Sequence, residues 1–215
     1  MPIAPKKVDA MKLFHSNFTR SFRALWALEE VGVAYELVTM PFPPRATTPS
    51  FKEENPLGTI PLLVDGATRM TESAAICQYL AERHPDAGLA VAPHDPRYGD
   101  YLNALHHGEA TLTFPQAVYL RYSRFEPAER RLPQAAEDYR LFFRSRLRWL
   151  DGQLQRGAHA AGADFTIADI STGYALMLAR RIGIDEVLSP AQVDYLERLT
   201  ARDAFQRALA RQETE

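Results

Sequence analysis

The stretch from Asn55 to Pro85, NPLGTIPLLVDGATRMTESAAICQYLAERHP, constrains this chain more than any other. Ile60 to Val64 is a continuous apolar run, which suits a strand covered on both faces, and Asp65-Gly66 follows it as a turn signal. Arg69 to Thr71 then pairs back, and Ser73 is the expected cap of a helix running to about Arg83. Pro61 at the head of the first strand removes a ladder donor, and the bond before a proline is one that adopts cis. A cis bond there would turn the N–H and C=O of Ile60 toward solvent, where an extended peptide pairs with both. The helix start at Glu72-Ser73 adds free N–H groups and the positive end of a helix dipole, a place for a carboxylate, with the Ser73 hydroxyl as a further donor. Glu72 beside it would accept from an ammonium, so the corner suits both charged groups of a free amino acid.

What precedes this stretch completes a small α/β unit. Met11 to His15 reads as a strand, Thr19 to Val31 as a helix with Phe22, Leu25, Trp26 and Leu28 facing a core and Gly32 as its left-handed stop, and Ala34 to Thr39 as a second strand. Strand, helix and strand of these lengths make a right-handed crossover with parallel strands. Residues 40–50 hold four prolines and read as a loop, with a short helix over 51–55. The expected first domain is 11–84, closed by a proline-containing linker over 84–96.

Helical patterning dominates the expected second domain, 95–215. Asp95-Pro96 opens a helix carrying Tyr98, Tyr101, Leu102, Leu105 and Leu112, which Pro115 should kink or end, with a further turn or two to about Ser123. Helices follow over 134–155, 163–180, 191–200 and 203–212. In the second of these, Thr166 and Asp169 form a variant capping box, with Phe165 and Ile170 placed as a hydrophobic staple. Arg140, Arg144, Arg146 and Arg148 read as a solvated face.

With 25 basic and 27 acidic residues and a net charge of -2, the chain has no general attraction to nucleic acid or to an anionic membrane. One cysteine, Cys77, excludes an internal disulfide and a multi-cysteine zinc site. No apolar run is long enough for a membrane span, and no apolar stretch follows the lysines of PIAPKKVDA, so that segment reads as a loose extension and the protein as cytoplasmic. His106 and His107 point about 100° apart and have no third ligand at a suitable spacing, so no metal is expected.

NPLGTIPLLVDG followed by TESAAICQYLAERHP resembles the glutathione-binding half of the cytosolic glutathione transferases, and FTIADI resembles the cap and staple of that family's helical domain. The likeness spans about Met11 to Ala210. It implies an α/β thioredoxin-like N-terminal domain joined to an all-α helical domain. It also implies glutathione as co-substrate, a small hydrophobic electrophile as second substrate, and a two-fold homodimer formed through the helix at Ser73 and the long helices behind it. Glutathione would be held by Thr59, Ile60, Pro61, Glu72 and Ser73. Where many relatives carry lysine this chain has Thr59, leaving Lys52 or Arg45 for the glycine carboxylate.

Thiolate is the reactive species, and a free thiol with pKa about 8.5 is mostly protonated at neutral pH. Lowering it by two units takes about 2.7 kcal/mol of preference for the charged form, which a donated hydrogen bond helps supply. Candidates in the turn HSNFTRSFR are Ser16, Asn17, Thr19 and Ser21. The family's serine-type pattern, as seen in bacterial members, fits Ser16-Asn17-Phe18-Thr19-Arg20, so the resemblance implies Ser16 as the activating residue, with Thr19 as the alternative. The absence of cysteine from the turn argues against members that form mixed disulfides, and the absence of a serine-cysteine pair against the maleylacetoacetate isomerase type. The electrophile is expected between the domains, near Tyr101, His106 and His107, with Phe14, Phe42 and Phe114 as apolar walls. Two alternatives to conjugation follow from the same likeness: a non-catalytic protein-binding module, and a glutathione-dependent peroxidase or isomerase.

Overall fold

β1 (Met11–His15) is the spine of a four-stranded sheet of order β2-β1-β3-β4. β2 (Tyr35–Thr39) lies parallel to it, from Met11 opposite Tyr35 to His15 opposite Thr39. β3 (Leu62–Asp65) is antiparallel on the other side, and β4 (Thr68–Met70) closes the edge through a turn in which Gly66 has φ 57°. The apolar pattern of β3 has a cause: Leu62 and Leu63 are buried between β1 and the layers on either face. The computed structural model describes residues 10–213, so most of the expected N-terminal extension lies outside the described residues.

α1 (Ser21–Val31) makes the crossover from β1 to β2 and is buried from Ser21 to Glu29, because helices pack on the side away from the sheet. Gly32, at φ 75°, stops it with its N–H on Leu28 O. α2 (Pro44–Thr47) and a short 3-10 turn (Pro49–Glu53) give the proline-rich loop more order than its composition suggests. α3 (Ser73–Arg83) follows β4, but its cap residue is Glu72, not Ser73. Ser73 is the first helical residue, and its hydroxyl accepts from the buried Arg23 instead of closing the helix end.

α4 (Tyr98–His106) does not end near Pro115. It continues through a π-helical segment (His107–Thr113), α5 (Phe114–Leu120) and a second π-helical segment (Arg121–Phe125). Proline lacks the N–H that an α-helix would use there, and the wider preceding turns accommodate its ring without breaking the rod. α6 (Pro133–Leu154) returns alongside, and its Arg140 is paired with Glu137 and Glu186. α7 (Ile167–Ile182) is almost wholly buried at the centre of the helical domain and opens on the expected capping box, Thr166 with Asp169. α8 (Pro190–Thr200) and α9 (Asp203–Glu213) complete the helical set among the described residues. The protein is thus a thioredoxin-like α/β domain followed by an all-α one.

The two are fused by packing around α1. Phe205 of α9 meets Trp26 edge-on at 4.9 Å and Phe22 at 5.4 Å, and Gly173 of α7 lets the Leu199 side chain and the Trp26 ring approach its backbone closely. Arg202, Arg207 and Arg211 fasten α9 to Glu30 and Glu29.

Candidate active site

The turn between β1 and α1 carries the residues nominated for thiol chemistry. Its hydroxyls are committed to the chain itself. Ser16 Oγ is buried and donates to Met40 O at 2.6 Å, and Thr19 Oγ1 donates to Ser16 O at 2.8 Å while sharing a second bond with Ser21 Oγ. Ser21 Oγ is in turn 2.7 Å from His15 Nδ1. These bonds hold Phe18 at φ 61°, a left-handed conformation rare for a bulky residue. Phe18 N–H donates across to Gln212 Oε1 of α9.

Between the two domains lies a cleft of about 740 Å³. On one side stand Asn17, Phe18, Thr19 and Arg20 with Phe42, Pro44, Arg45 and Gly58 to Ile60; on the other stand Thr113, Ala117, Leu120, Arg124 and Phe125 with Tyr174, Leu178, Arg181 and Ile182. Ser16 opens instead into an adjoining hollow bounded by Thr39, Met40, Pro41 and Phe42, and Asn17 and Phe42 line both spaces. The Asn17 carboxamide oxygen is buried without a hydrogen-bond partner among the described residues. Rotation about the last side-chain torsion presents the amide donor in its place.

The edge nominated for peptide pairing lies at the head of β3. The Ile60-Pro61 bond is cis, and the β1/β3 register extends no further than Leu62, which leaves Ile60 outside the ladder. Asn55 Nδ2 donates to Thr59 O at 2.7 Å and fixes the approach. Gly58 has φ 59°, and a Cβ there would lie 2.8 Å from the Arg45 Cβ, so glycine lets Arg45 pack against the Gly58-Thr59 backbone. Lys52 stands behind this position and does not line the cleft.

Glu72 is exposed at the start of α3, and Ser73 is buried beside it. Arg23, fully buried on α1, organises the region. It donates to Ser73 Oγ at 3.3 Å, Thr113 Oγ1 at 2.6 Å and Gly108 O at 3.3 Å, pairs with Glu109, and lies 4.2 Å over the Tyr174 ring. Because Arg23 donates to Ser73, the serine's own proton remains available for a ligand. Glu109, on the first π-helical segment, also pairs with Arg20 at 2.6 Å. Burial alone would raise the Glu109 pKa, but Arg23 and Arg20 more than offset it and hold the carboxyl below its ordinary range.

Four nominated electrophile contacts lie elsewhere. Tyr101 is fully buried in the core, and burial raises its phenol pKa. His107 is tucked against Trp149 at 4.4 Å, where burial lowers its pKa, while His106 is exposed away from the cleft. Phe14 packs on Phe51 at 5.3 Å beneath the sheet. The reason is shared: helical spacing identifies a core-facing side chain without saying which neighbour it meets. Of the three phenylalanines nominated as walls, Phe42 alone lines the cleft. The wall residues from α7 and the second π-helical segment carried no motif, and neither did Arg23 or Glu109.

Comparison with known proteins accounts for this arrangement. Residues 9–82 match the family described as "Glutathione S-transferase, N-terminal domain". Maize (Zea mays) glutathione S-transferase 3 is 30% identical over 215 residues, covering 97% of this chain and 95% of that protein, whereas the match to Arabidopsis thaliana glutathione S-transferase F14, 36% identical, covers 40% and 35%. A probable maleylacetoacetate isomerase of Caenorhabditis elegans is 31% identical, covering 79% of this chain and 78% of that one. Among solved structures, a sphingomonad glutathione S-transferase complexed with glutathione superposes with a TM-score of 0.82 at 28% identity, over 95% of this chain and 100% of that one. With a whole-length relative at that identity and both domains in the same order, this chain belongs to the cytosolic glutathione transferase superfamily.

Proposed function

We propose that the protein conjugates reduced glutathione to small hydrophobic electrophiles in the interdomain cleft. The observation that carries the reading is that Thr59 and Ile60, the Asn17 to Thr19 turn and the apolar wall of the helical domain line one space. A peptide paired with Ile60 therefore has its thiol against the turn and its second substrate against Leu120, Leu178 and Tyr174. The γ-glutamyl carboxylate takes the Ser73 hydroxyl and the N-terminal N–H groups of α3, its ammonium takes Glu72, and the glycine carboxylate takes Arg45. Pro61 sets the edge, and Lys52 adds longer-range positive charge behind Thr59. In the reaction the thiol proton leaves to solvent, the thiolate forms a C–S bond at the electrophilic carbon, and the leaving group departs with its electron pair. The likeness to a sphingomonad enzyme complexed with glutathione supports the binding half of this reading.

Thiolate stabilisation is assigned to the turn of the serine-type pattern, with Ser16 as donor after its hydroxyl turns from Met40 O. Ser16→Ala should lower kcat far more than it weakens glutathione binding, because the bond strengthens as charge develops on sulfur. The same measurement on Thr19→Ala and Asn17→Ala separates the three. Loss confined to Asn17→Ala would transfer the role to the carboxamide on the cleft wall, and equal loss of binding and turnover in all three would reject activation by the turn.

The chain is further assigned to cytoplasmic homodimers, joined through α3 and the long helices behind it; Leu141 and Phe142 of α6 are apolar and exposed. Light scattering at micromolar concentration should give twice the chain mass, and a monomer would reject this assembly.

A further inference from the structure

The cleft is apolar in its walls and cationic in its lining. Arg20, Arg45, Arg124 and Arg181 reach it, and among the described residues no Asp or Glu does. Arg20 is paired with Glu109, whose carboxylate it shares with Arg23. Arg45 packs on Gly58 beside Ile60, where the proposed function gives it the glycine carboxylate of glutathione. Arg124 and Arg181 remain, and neither has a carboxylate partner among the described residues. They come from different elements to one corner: Arg181 is in the last turn of α7, and Arg124, from the second π-helical segment, donates to Ile182 O at 2.5 Å. The Arg181 guanidinium carbon lies over the Phe18 ring, 3.3 Å from its centroid. The negative end of the α7 dipole offsets part of the repulsion between the two cations. A helix end needs only one of them as a cap, and Arg181, though exposed, lines the cleft and meets Phe18 of the opposite domain.

Resting on the conjugation reading, we propose that the second substrate is an aromatic electrophile bearing a carboxylate, whose ring lies on the apolar wall and whose carboxylate is bound by Arg124 and Arg181. Guanidinium groups pair with carboxylates in a planar, two-bond geometry, and partial removal from water strengthens the contact. The arrangement separates the two anionic ends of the complex: Arg45 serves glutathione, and the α7 corner serves the electrophile.

The test uses two chemically made glutathione conjugates, from a chloro-dinitrobenzoate and from the corresponding carboxamide, which differ in charge and little in shape. Calorimetry reads their affinities and that of glutathione for the native protein, and for Arg124→Gln and Arg181→Gln. The carboxylate conjugate should bind about 10-fold more tightly than the amide. Either substitution should remove most of that preference while leaving glutathione affinity within about 2-fold. The preference should also shrink as salt is raised, because both arginines are partly in solvent. Equal affinity for the two conjugates in the native protein overturns the proposal while leaving the conjugation reading intact. Equal weakening of glutathione and both conjugates by the arginine variants overturns it too, by giving the corner to glutathione. If glutathione and both conjugates fail to bind at millimolar concentration, the conjugation reading falls and this proposal with it.

Discussion

At the scale of the residue, burial decides which chemical groups are reactive. Cys77 is fully buried on α3, and burial pushes its thiol pKa up to about 12. It should therefore resist an aromatic disulfide reagent at neutral pH until the chain unfolds; rapid labelling of native protein would show that α3 opens locally. Glu109 presents the opposite case, an anion held by two cations. Its depressed pKa means that its contribution is fully present above the unfolded value of about 4.3 and is lost as pH falls through the folded value. Glu109→Gln, which leaves Arg23 buried without its charge partner, should cost about 3 kcal/mol at neutral pH by urea unfolding. The gap to wild type should close in acid, and a gap of constant size down to pH of about 2 would contradict the assignment. The two differ in how far sequence shows them. The place of Cys77 on an apolar helix face already points to a small buried residue, whereas Arg23 and Glu109 are a long interval apart, so only the folded chain joins them.

At the scale of the element, the capping box of α7 was legible because its two members are three residues apart and their geometry is local. Its weight comes from what sequence does not show. Asp169 accepts from Thr166 N at 2.8 Å, as a capping box requires, and also from Ala160 N at 2.8 Å and Tyr195 Oη at 2.6 Å. Removing the Thr166 hydroxyl with Thr166→Ala should cost about 1 kcal/mol, as for other caps. Asp169→Ala leaves the buried N–H groups of Thr166 and Ala160 without an acceptor and the Tyr195 hydroxyl with Thr172 Oγ1 alone, and should cost about 3 kcal/mol or more. Urea midpoints of the two variants check this, and equal losses would reduce Asp169 to an ordinary cap. The long rod from Tyr98 to Phe125 shows the converse. Pro115 announced a break, and the chain absorbed it in π-helical turns that bring Glu109 and Arg124 to the site. Gly108 permits this: a Cβ there would lie 2.5 Å from the Ser171 backbone of α7, so the wide turn packs against that helix only without a side chain.

At the scale of the whole molecule, both folds were legible from period and turn chemistry, and so was the edge proposed for glutathione, since Asn55 to Ser73 is one continuous segment. The electrophile side was not. Its walls come from elements that meet only after the domains pack, which is why helical spacing selected the buried Tyr101 and missed Tyr174. That packing has a thermodynamic consequence. α1 belongs to the first domain in sequence but is covered by α7 and α9 of the second, through Phe205 on Trp26 and the arginines on Glu29 and Glu30. Neither domain keeps a closed core when the other unfolds, so the two should melt together. The two tryptophans report on different places, Trp26 in α1 at the packing between the domains and Trp149 in α6 within the helical one. Urea unfolding followed by fluorescence in Trp149→Phe and in Trp26→Phe, each compared with helix content in the same variant, should give coincident transitions within either protein. A Trp149 transition that separates from the loss of helix would show that the helical domain has a core of its own, independent of α1.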